Sequence, residues 1–390
     1  MRDIRPTCLS GGKAFALAHG IAMAVVIGLV FLTWQQFELW HGRKREARHI
    51  LAVAQRSSVK ASHAYLKKGN ALFRQGEIDG AIEHYRRALQ LDPEFVEAHN
   101  NLGLILAGRG ELDEAIEHYR KALKVNPEFP LAHVNLGDAL VGRGQVDEAI
   151  GHFRKALKVK PGLASAHYSL GRALAGKGRL GEAIEQYGEA VKGDPNLAVA
   201  YYDMGNAYFK LREYKKAIEQ YGQAVKINPG YAVAYYNMGN ALLQMGDLGG
   251  AIEQYRLAIK YESRYAEAHN NLGSALEARG EKEKAGEQYR MALEIDPQHA
   301  GAHFNLGLLL GERGDVQGAI EHFRQVVQID PRDAEARYHL GRLLAVMGQV
   351  EQAAGEFKEA LEIRPGFAAA RESLNQLLAQ PRKSDADTQP

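Results

Sequence analysis

The chain repeats its own residue pattern every 34 residues, nine times over. Glycine, alanine, an aromatic residue and proline each return at this fixed step, as Gly103, Ala115, Tyr119 and Pro127 do in the second unit. A loop or an isolated catalytic motif needs no such register. Stacked helical hairpins do need it, because every hairpin must present the same small and large residues to its neighbour.

The unit at 96–129 shows how one hairpin is encoded. Apolar residues at helical spacing, including Leu102 and Leu106, predict a first helix, here called helix A. Gly110 ends it, because glycine tolerates the left-handed conformation found at helix ends. A second apolar stripe predicts helix B, which stops before Pro127, since proline disfavours helical geometry in the residue preceding it. A hairpin of this size cannot bury its apolar face alone, so it must stack.

The recurring Leu-Gly, Ala, Tyr/Phe, Ala and Pro positions resemble the tetratricopeptide repeat. The resemblance covers Ser62 to Phe367 without insertion, with few departures, such as His99 at the usual tryptophan position and Arg212 in place of a turn glycine. It implies an all-α fold, a right-handed α-solenoid superhelix of about nine hairpins followed by a capping helix at 368–380. The nine predicted repeats are 62–95, 96–129, 130–163, 164–197, 198–231, 232–265, 266–299, 300–333 and 334–367.

An apolar run precedes the repeats. Residues 14–34 would span about 31 Å as a helix, which is enough for the hydrocarbon core of a bilayer. The rival interpretation is a cleaved signal peptide, but Phe31 to Trp34 offer no small-x-small cleavage site. We therefore predict an N-terminal tail at 1–13, a transmembrane helix at 14–34 and a juxtamembrane linker at 35–61. Residues 381–390 are predicted to form a disordered tail.

Positive charge beside the apolar run predicts its orientation. Three basic residues precede the run, whereas Arg43, Lys44, Arg45 and Arg48 follow it, with Arg56 close behind. The excess on the repeat side favours repeats in the cytoplasm. We therefore predict a single-pass membrane protein, located in the bacterial inner membrane.

Composition argues against several functional classes. Residues 61–379 carry 38 basic and 42 acidic side chains, so no basic face for a nucleic acid is expected. The single cysteine rules out a disulfide framework and a cysteine-based zinc site. The histidines recur in equal repeat positions, which predicts that they lie in successive layers and share no metal. No catalytic motif stands apart from the repeats, so we expect no enzyme activity and no cofactor.

The predicted binding site is a row of polar residues at position six of helix A, counted from the first residue of each unit. An asparagine amide can bridge the N–H and C=O of a peptide backbone. The row is similar to the asparagine ladder in the repeat domain of O-linked N-acetylglucosamine transferases, whose catalytic domain has no counterpart in this sequence. Asparagine at position six is also part of the general repeat consensus, and that alternative stays open. Apart from Ser169, the ladder residues are Asn101, Asn135, Asp203, Asn237, Asn271 and Asn305.

Aromatic residues recur beside the ladder, at position five of helix A. Aromatic rings can hold the side chains or prolines of a ligand. They can equally pack between repeats, and the sequence does not separate these two interpretations. The five aromatic residues are Tyr168, Tyr202, Tyr236, Phe304 and Tyr338.

These observations predict a membrane-anchored scaffold that binds protein partners or extended peptides in a concave groove lined by helix A. The expected partners are proteins or peptides, with the membrane bound through the N-terminal helix, and we include self-association among the expected interactions. One alternative is a non-catalytic, substrate-recruiting subunit of an envelope biosynthesis or glycosyltransferase complex. Another is an anchored import receptor of mitochondria, if the source is eukaryotic.

One position predicts a local weakness. Gly286 occupies the helix B position that isoleucine holds in seven other repeats, including Ile252. Loss of a buried isoleucine side chain forgoes roughly 1.5–3 kcal/mol of burial. We therefore expect a gap there and early opening of helix B in the seventh repeat.

Overall fold

The computed structural model describes the backbone of residues 11–379 and the side chains of residues 32, 33 and 35–379. Within this part the chain forms 19 α-helices and no strand, which confirms the predicted all-α class. The contacts divide the chain into two compact units, Met1–Gly144 and Gln145–Pro390.

The first unit begins with one long helix. α1 is 65 residues long, so the predicted linker at 35–61 is helical and continues without a break into helix A of the first hairpin. α1 packs against α2, and α3 packs against α4. The helices of this unit are α1 (Gly11–Gln75), α2 (Ile78–Leu91), α3 (Val96–Gly108), α4 (Leu112–Val125) and α5 (Pro130–Gly142).

The second unit continues the alternation of helices A and B. Helices pair as hairpins from α7 with α8 to α17 with α18, and α19 packs on α18 where the capping helix is predicted. The helices are α6 (Val146–Val159), α7 (Ala164–Gly176), α8 (Leu180–Gly193), α9 (Ala198–Lys210), α10 (Tyr214–Ile227), α11 (Ala232–Gln244), α12 (Leu248–Tyr261), α13 (Ala266–Ala278), α14 (Lys282–Ile295), α15 (Ala300–Glu312), α16 (Val316–Ile329), α17 (Ala334–Val346), α18 (Val350–Ile363) and α19 (Ala368–Ala379).

The turn between helix A and helix B requires a left-handed residue. Eight of these turns place a glycine there, with φ between 74° and 88°. The ninth places Arg212 there, with φ 59°. Because a side chain in this conformation crowds the following carbonyl, the turn between α9 and α10 is strained.

The recurring glycine of helix A makes room for the aromatic ring of helix B in the same repeat. A Cβ atom on Gly239 would lie 2.6 Å from Cε1 of Tyr255, and one on Gly103 would lie 2.7 Å from Cε1 of Tyr119. Both rings are fully buried. Glycine is therefore required at these positions, because a side chain there would overlap the tyrosine ring.

The expected gap at Gly286 is filled, so that prediction is wrong. The Cδ2 atom of Leu309 lies 3.1 Å from the place where a Cβ on Gly286 would stand. Leu309 is 1% exposed and belongs to the same core cluster as Ile252 and Ala275, which hold the two equivalent positions one repeat earlier. The isoleucine–alanine pair is thus replaced by a glycine–leucine pair of similar total volume.

The predicted transmembrane segment at 14–34 lies outside the described side chains, except for residues 32 and 33. Residues 1–10 of the predicted N-terminal tail, the last residue of the predicted capping helix and the predicted tail at 381–390 also lie outside the described part of the chain. A search limited to the described residues finds no helix with the length and apolar character needed to cross a membrane.

Candidate functional site

The ladder asparagines of the first unit donate hydrogen bonds to the preceding repeat. Asn101 Nδ2 donates to Asn70 Oδ1 over 2.9 Å, and Asn135 Nδ2 donates to Asn100 Oδ1 over 2.9 Å. All four side chains lie on helix A positions. Here the ladder amides therefore tie successive helices A together.

In the second unit, three ladder asparagines each make two hydrogen bonds of this kind, and one of them, Asn305, donates to Asn270 Oδ1 and to Ser274 Oγ. Asn237 Nδ2 lies 3.1 Å from the hydroxyl of Tyr202 and 3.1 Å from Asn206 Oδ1. Asn271 Nδ2 lies 3.0 Å from the hydroxyl of Tyr236 and 3.1 Å from an asparagine Oδ1 at the equivalent position. Part of the predicted ladder and part of the predicted aromatic row thus form one hydrogen-bonded network.

The carbonyl oxygens of this network are less occupied than its amide nitrogens. Asn305 donates to Asn270 Oδ1 over 3.0 Å, like the other ladder amides. Within the described part of the chain, Oδ1 of Asn237 and Oδ1 of Asn305 accept no hydrogen bond. Asn271 Oδ1 accepts one weak bond, from Asn270 Nδ2 at 3.3 Å. These half-buried oxygens remain available as acceptors.

The hydrogen bond runs in the opposite direction at Asp203. The hydroxyl of Tyr168 donates to Asp203 Oδ2 over 2.9 Å, because a carboxylate can only accept. Tyr202 and Tyr236 instead accept from asparagines, and their hydroxyl hydrogens have no acceptor among the described residues. Burial raises the pKa of Asp203, and the hydrogen bond from Tyr168 and the charge of Arg172 partly oppose that effect.

The position-five aromatic residues also pack against the rings of helix B. Tyr202 lies 5.9 Å from Tyr221 and 5.0 Å from Tyr231, centroid to centroid. Each remaining member contacts the helix B ring of its own repeat at 5.5–6.1 Å. The rings are therefore packing residues that stay half-exposed, and their contact with a ligand remains a prediction.

Sequence analysis missed the asparagines at position nine of helix A. Oδ1 of Asn206 accepts from the hydroxyl of Tyr221 at 2.8 Å as well as from Asn237. Oδ1 of Asn70 and Oδ1 of Asn240 likewise each accept from a tyrosine hydroxyl of helix B and from a ladder asparagine. Their 34-residue spacing from Asn206 to Asn240, three residues after a ladder position, was the available signal.

Histidines pair within a repeat, which the sequence did not predict. His99 Nδ1 lies 2.8 Å from His118 Nδ1, and His303 Nδ1 lies 2.8 Å from His322 Nδ1. Burial, followed by the neighbouring charge of His99, lowers the pKa of His118 to about 4. Among the described residues, no group of three or more histidine, cysteine or acidic side chains is placed to hold a metal ion.

Family comparisons agree with this architecture. Sequence models described as "TPR repeat" match residues 69–108 and 205–246. Models described as "Tetratricopeptide repeat" match residues 96–129, 134–198, 236–300, 289–321 and 312–380. The chain belongs to the tetratricopeptide repeat family.

Solved structures of this family are similar to parts of the chain. A crystal structure of MamA shares 32% identity, covers 42% of this chain and 96% of its own, and has a TM-score of 0.41. MamA of Desulfovibrio magneticus RS-1 shares 24% identity, covers 44% and 96%, and has a TM-score of 0.41. YrrB, described as a TPR protein with an unusual peptide-binding site, shares 26% identity, covers 48% and 96%, and has a TM-score of 0.43. No curated protein matches the chain.

Proposed function

We propose that the chain is a membrane-anchored scaffold that holds extended peptide segments of partner proteins against helices A of the second unit. The observation that carries the proposal is the set of unused groups in the hydrogen-bond network. Oδ1 of Asn237 and of Asn305 are open acceptors, and the hydroxyls of Tyr202 and Tyr236 keep a free hydrogen. A peptide backbone offers N–H donors for the asparagine oxygens and C=O acceptors for the tyrosine hydroxyls.

The spacing of the repeats supports an extended ligand. Neighbouring helices pack about 8–10 Å apart. Three residues of extended chain cover about 10 Å. One backbone N–H and one backbone C=O can therefore meet each repeat in turn.

The test removes the free hydroxyls and keeps the rings. Phenylalanine fits position five, because Phe304 occupies it in the eighth repeat. In the full-length chain, Tyr202→Phe combined with Tyr236→Phe should lower affinity for peptides selected from a random dodecapeptide phage library. Two lost hydrogen bonds are worth about 1–3 kcal/mol, or at least about fivefold in Kd.

The matched control is Tyr168→Phe. Its hydroxyl already donates to Asp203 and has no hydrogen left for a ligand, so peptide affinity should change by less than about twofold. Fluorescence anisotropy would measure each Kd. Failure to select any peptide, or equal effects of the control and the double variant, would refute peptide binding at this network.

For the anchor, we propose that residues 14–34 cross the membrane once and that the repeats lie in the cytoplasm of a bacterium. The unbroken α1 supports a direct connection between this segment and the first hairpin. The full-length chain should stay in the membrane pellet after a carbonate wash, and a mature N-terminus beyond residue 20 would contradict the proposal. Cys8, the single cysteine, should react in intact cells with a maleimide that does not cross membranes.

A further inference from the structure

The groove between α7 and α9 is lined by two cations and one carboxylate. It has a volume of about 200 Å³, and its lining includes Arg172, Tyr187, Asp203, Asn206 and Lys210. Arg172 and Lys210 are exposed, and neither forms an ion pair within the described residues. The Arg172 guanidinium lies 5.8 Å from the centroid of the Tyr168 ring, and its charge, like that of Lys210, acts on the Asp203 carboxylate.

Several other basic residues of the repeats form ion pairs between hairpins. Arg143 Nη1, at the end of α5, lies 2.6 Å from a carboxylate oxygen of Asp113 in the preceding hairpin. Lys177, at the end of α7, pairs in the same way with Asp147. These pairs connect successive hairpins, whereas Arg172 and Lys210 share one carboxylate, Asp203, within their groove.

Asp203 compensates only part of this charge. One of its oxygens accepts from Tyr168, and one carboxylate faces two cations, which leaves a local net charge of +1. A single carboxylate balances that charge, whereas a phosphate dianion would overcompensate it beside Asp203.

We infer that this groove binds one aspartate or glutamate side chain of the peptide ligand, between Arg172 and Lys210. The inference rests on the proposed peptide binding and adds its specificity. Lys210 also lines the adjacent groove with Asn206, Asn237 and Asn240, so the two grooves are continuous. The acidic residue therefore lies about three residues along the extended peptide from the backbone group held by Asn237.

The experiment selects peptides with the full-length chain in a neutral detergent, using a random dodecapeptide library displayed on phage. Enriched peptides should share one aspartate or glutamate. Replacing that residue by its amide should raise Kd about tenfold at about 150 mM salt, since a charge-assisted pair is lost. The double variant Arg172→Gln with Lys210→Gln should cause the same loss for the acidic peptide, and leave the amide peptide within about twofold.

The control is Arg342→Gln. Arg342 occupies the same helix A position in the ninth repeat, and its guanidinium also lies 5.8 Å from the centroid of the local tyrosine ring, Tyr338. The Arg342→Gln variant removes one positive charge far from the groove, so it should change Kd by less than about twofold. Enriched peptides without an acidic preference, or a preference that survives the double variant, would overturn the inference alone. Enrichment of no peptide would overturn the proposed peptide binding together with it.

Discussion

The pair formed by Gly286 and Leu309 predicts a strong and specific coupling. Gly286 lies on α14 and Leu309 on α15, and the leucine methyl occupies the space that an isoleucine would fill. One repeat earlier, Ile252 and Ala275 occupy the same two positions. Combining Gly286→Ile with Leu309→Ala should therefore restore an arrangement the fold already uses.

Each single substitution should be costly. Leu309→Ala leaves a cavity beside a glycine that cannot fill it, which costs about 2–5 kcal/mol. Gly286→Ile forces a Cβ to within 3.1 Å of Leu309 and overpacks the site, which costs about 1–3 kcal/mol. The double variant should lie within about 1 kcal/mol of the parent, since volume is conserved and isoleucine is the better helix former. The coupling energy should then be at least about 2 kcal/mol.

Hydrogen exchange measured by mass spectrometry suits this test, because a long repeat array need not unfold in one step. Exchange across α14 and α15 should rise in both single variants and return to the parent rate in the double variant. The reciprocal control is Ile252→Gly with Ala275→Leu, which should reproduce the glycine–leucine arrangement one repeat earlier. Additive destabilisation in the double variant would refute the idea that the two residues share one space.

Three further predictions concern single positions. Arg212→Gly should raise stability by about 0.5–1 kcal/mol in thermal unfolding, because relief of the left-handed strain exceeds the entropy cost of glycine, and a lower Tm would contradict this. Gly239→Ala should destabilise by about 1–3 kcal/mol through its clash with Tyr255, whereas Gly222→Ala, with open space around its Cβ, should stabilise by about 0.5–1 kcal/mol, as circular dichroism would show. The pKa of His118 is lowered to about 4, so the folded state binds fewer protons, and stability should fall as pH drops from about 6.5 towards 4; His118→Gln should flatten that dependence of Tm on pH.

Much of the local structure could be predicted because it depends on residues that recur in one position. A glycine every 34 residues indicates a turn, and a glycine followed by an aromatic residue on the next helix indicates close packing. The strained turn at Arg212 was also visible as a departure from the pattern, and the structure gives it a positive φ. Predicting such features requires only that each residue be compared with the residues at the same position of the other repeats.

The features that were missed couple two different positions. Gly286 looks like a defect when compared with the isoleucines of other repeats, and only its contact with Leu309 shows the compensation. The pairing of His99 with His118 was missed for the same reason, since the two histidines were compared along the repeats and not across one hairpin. Predicting these contacts requires the distance and side-chain directions between helices, which periodicity does not provide.

The hydrogen-bond network shows why such coupling matters for function. The residue at position six decides what the tyrosine of the preceding repeat can do. With Asp203 at that position, Tyr168 must donate its hydrogen to the protein. With Asn237 there, Tyr202 accepts from the amide and keeps its hydrogen for another partner. One amide-to-acid difference between repeats therefore decides whether the tyrosine hydroxyl accepts from the following repeat or donates to it, although both tyrosines hold the same position of helix A.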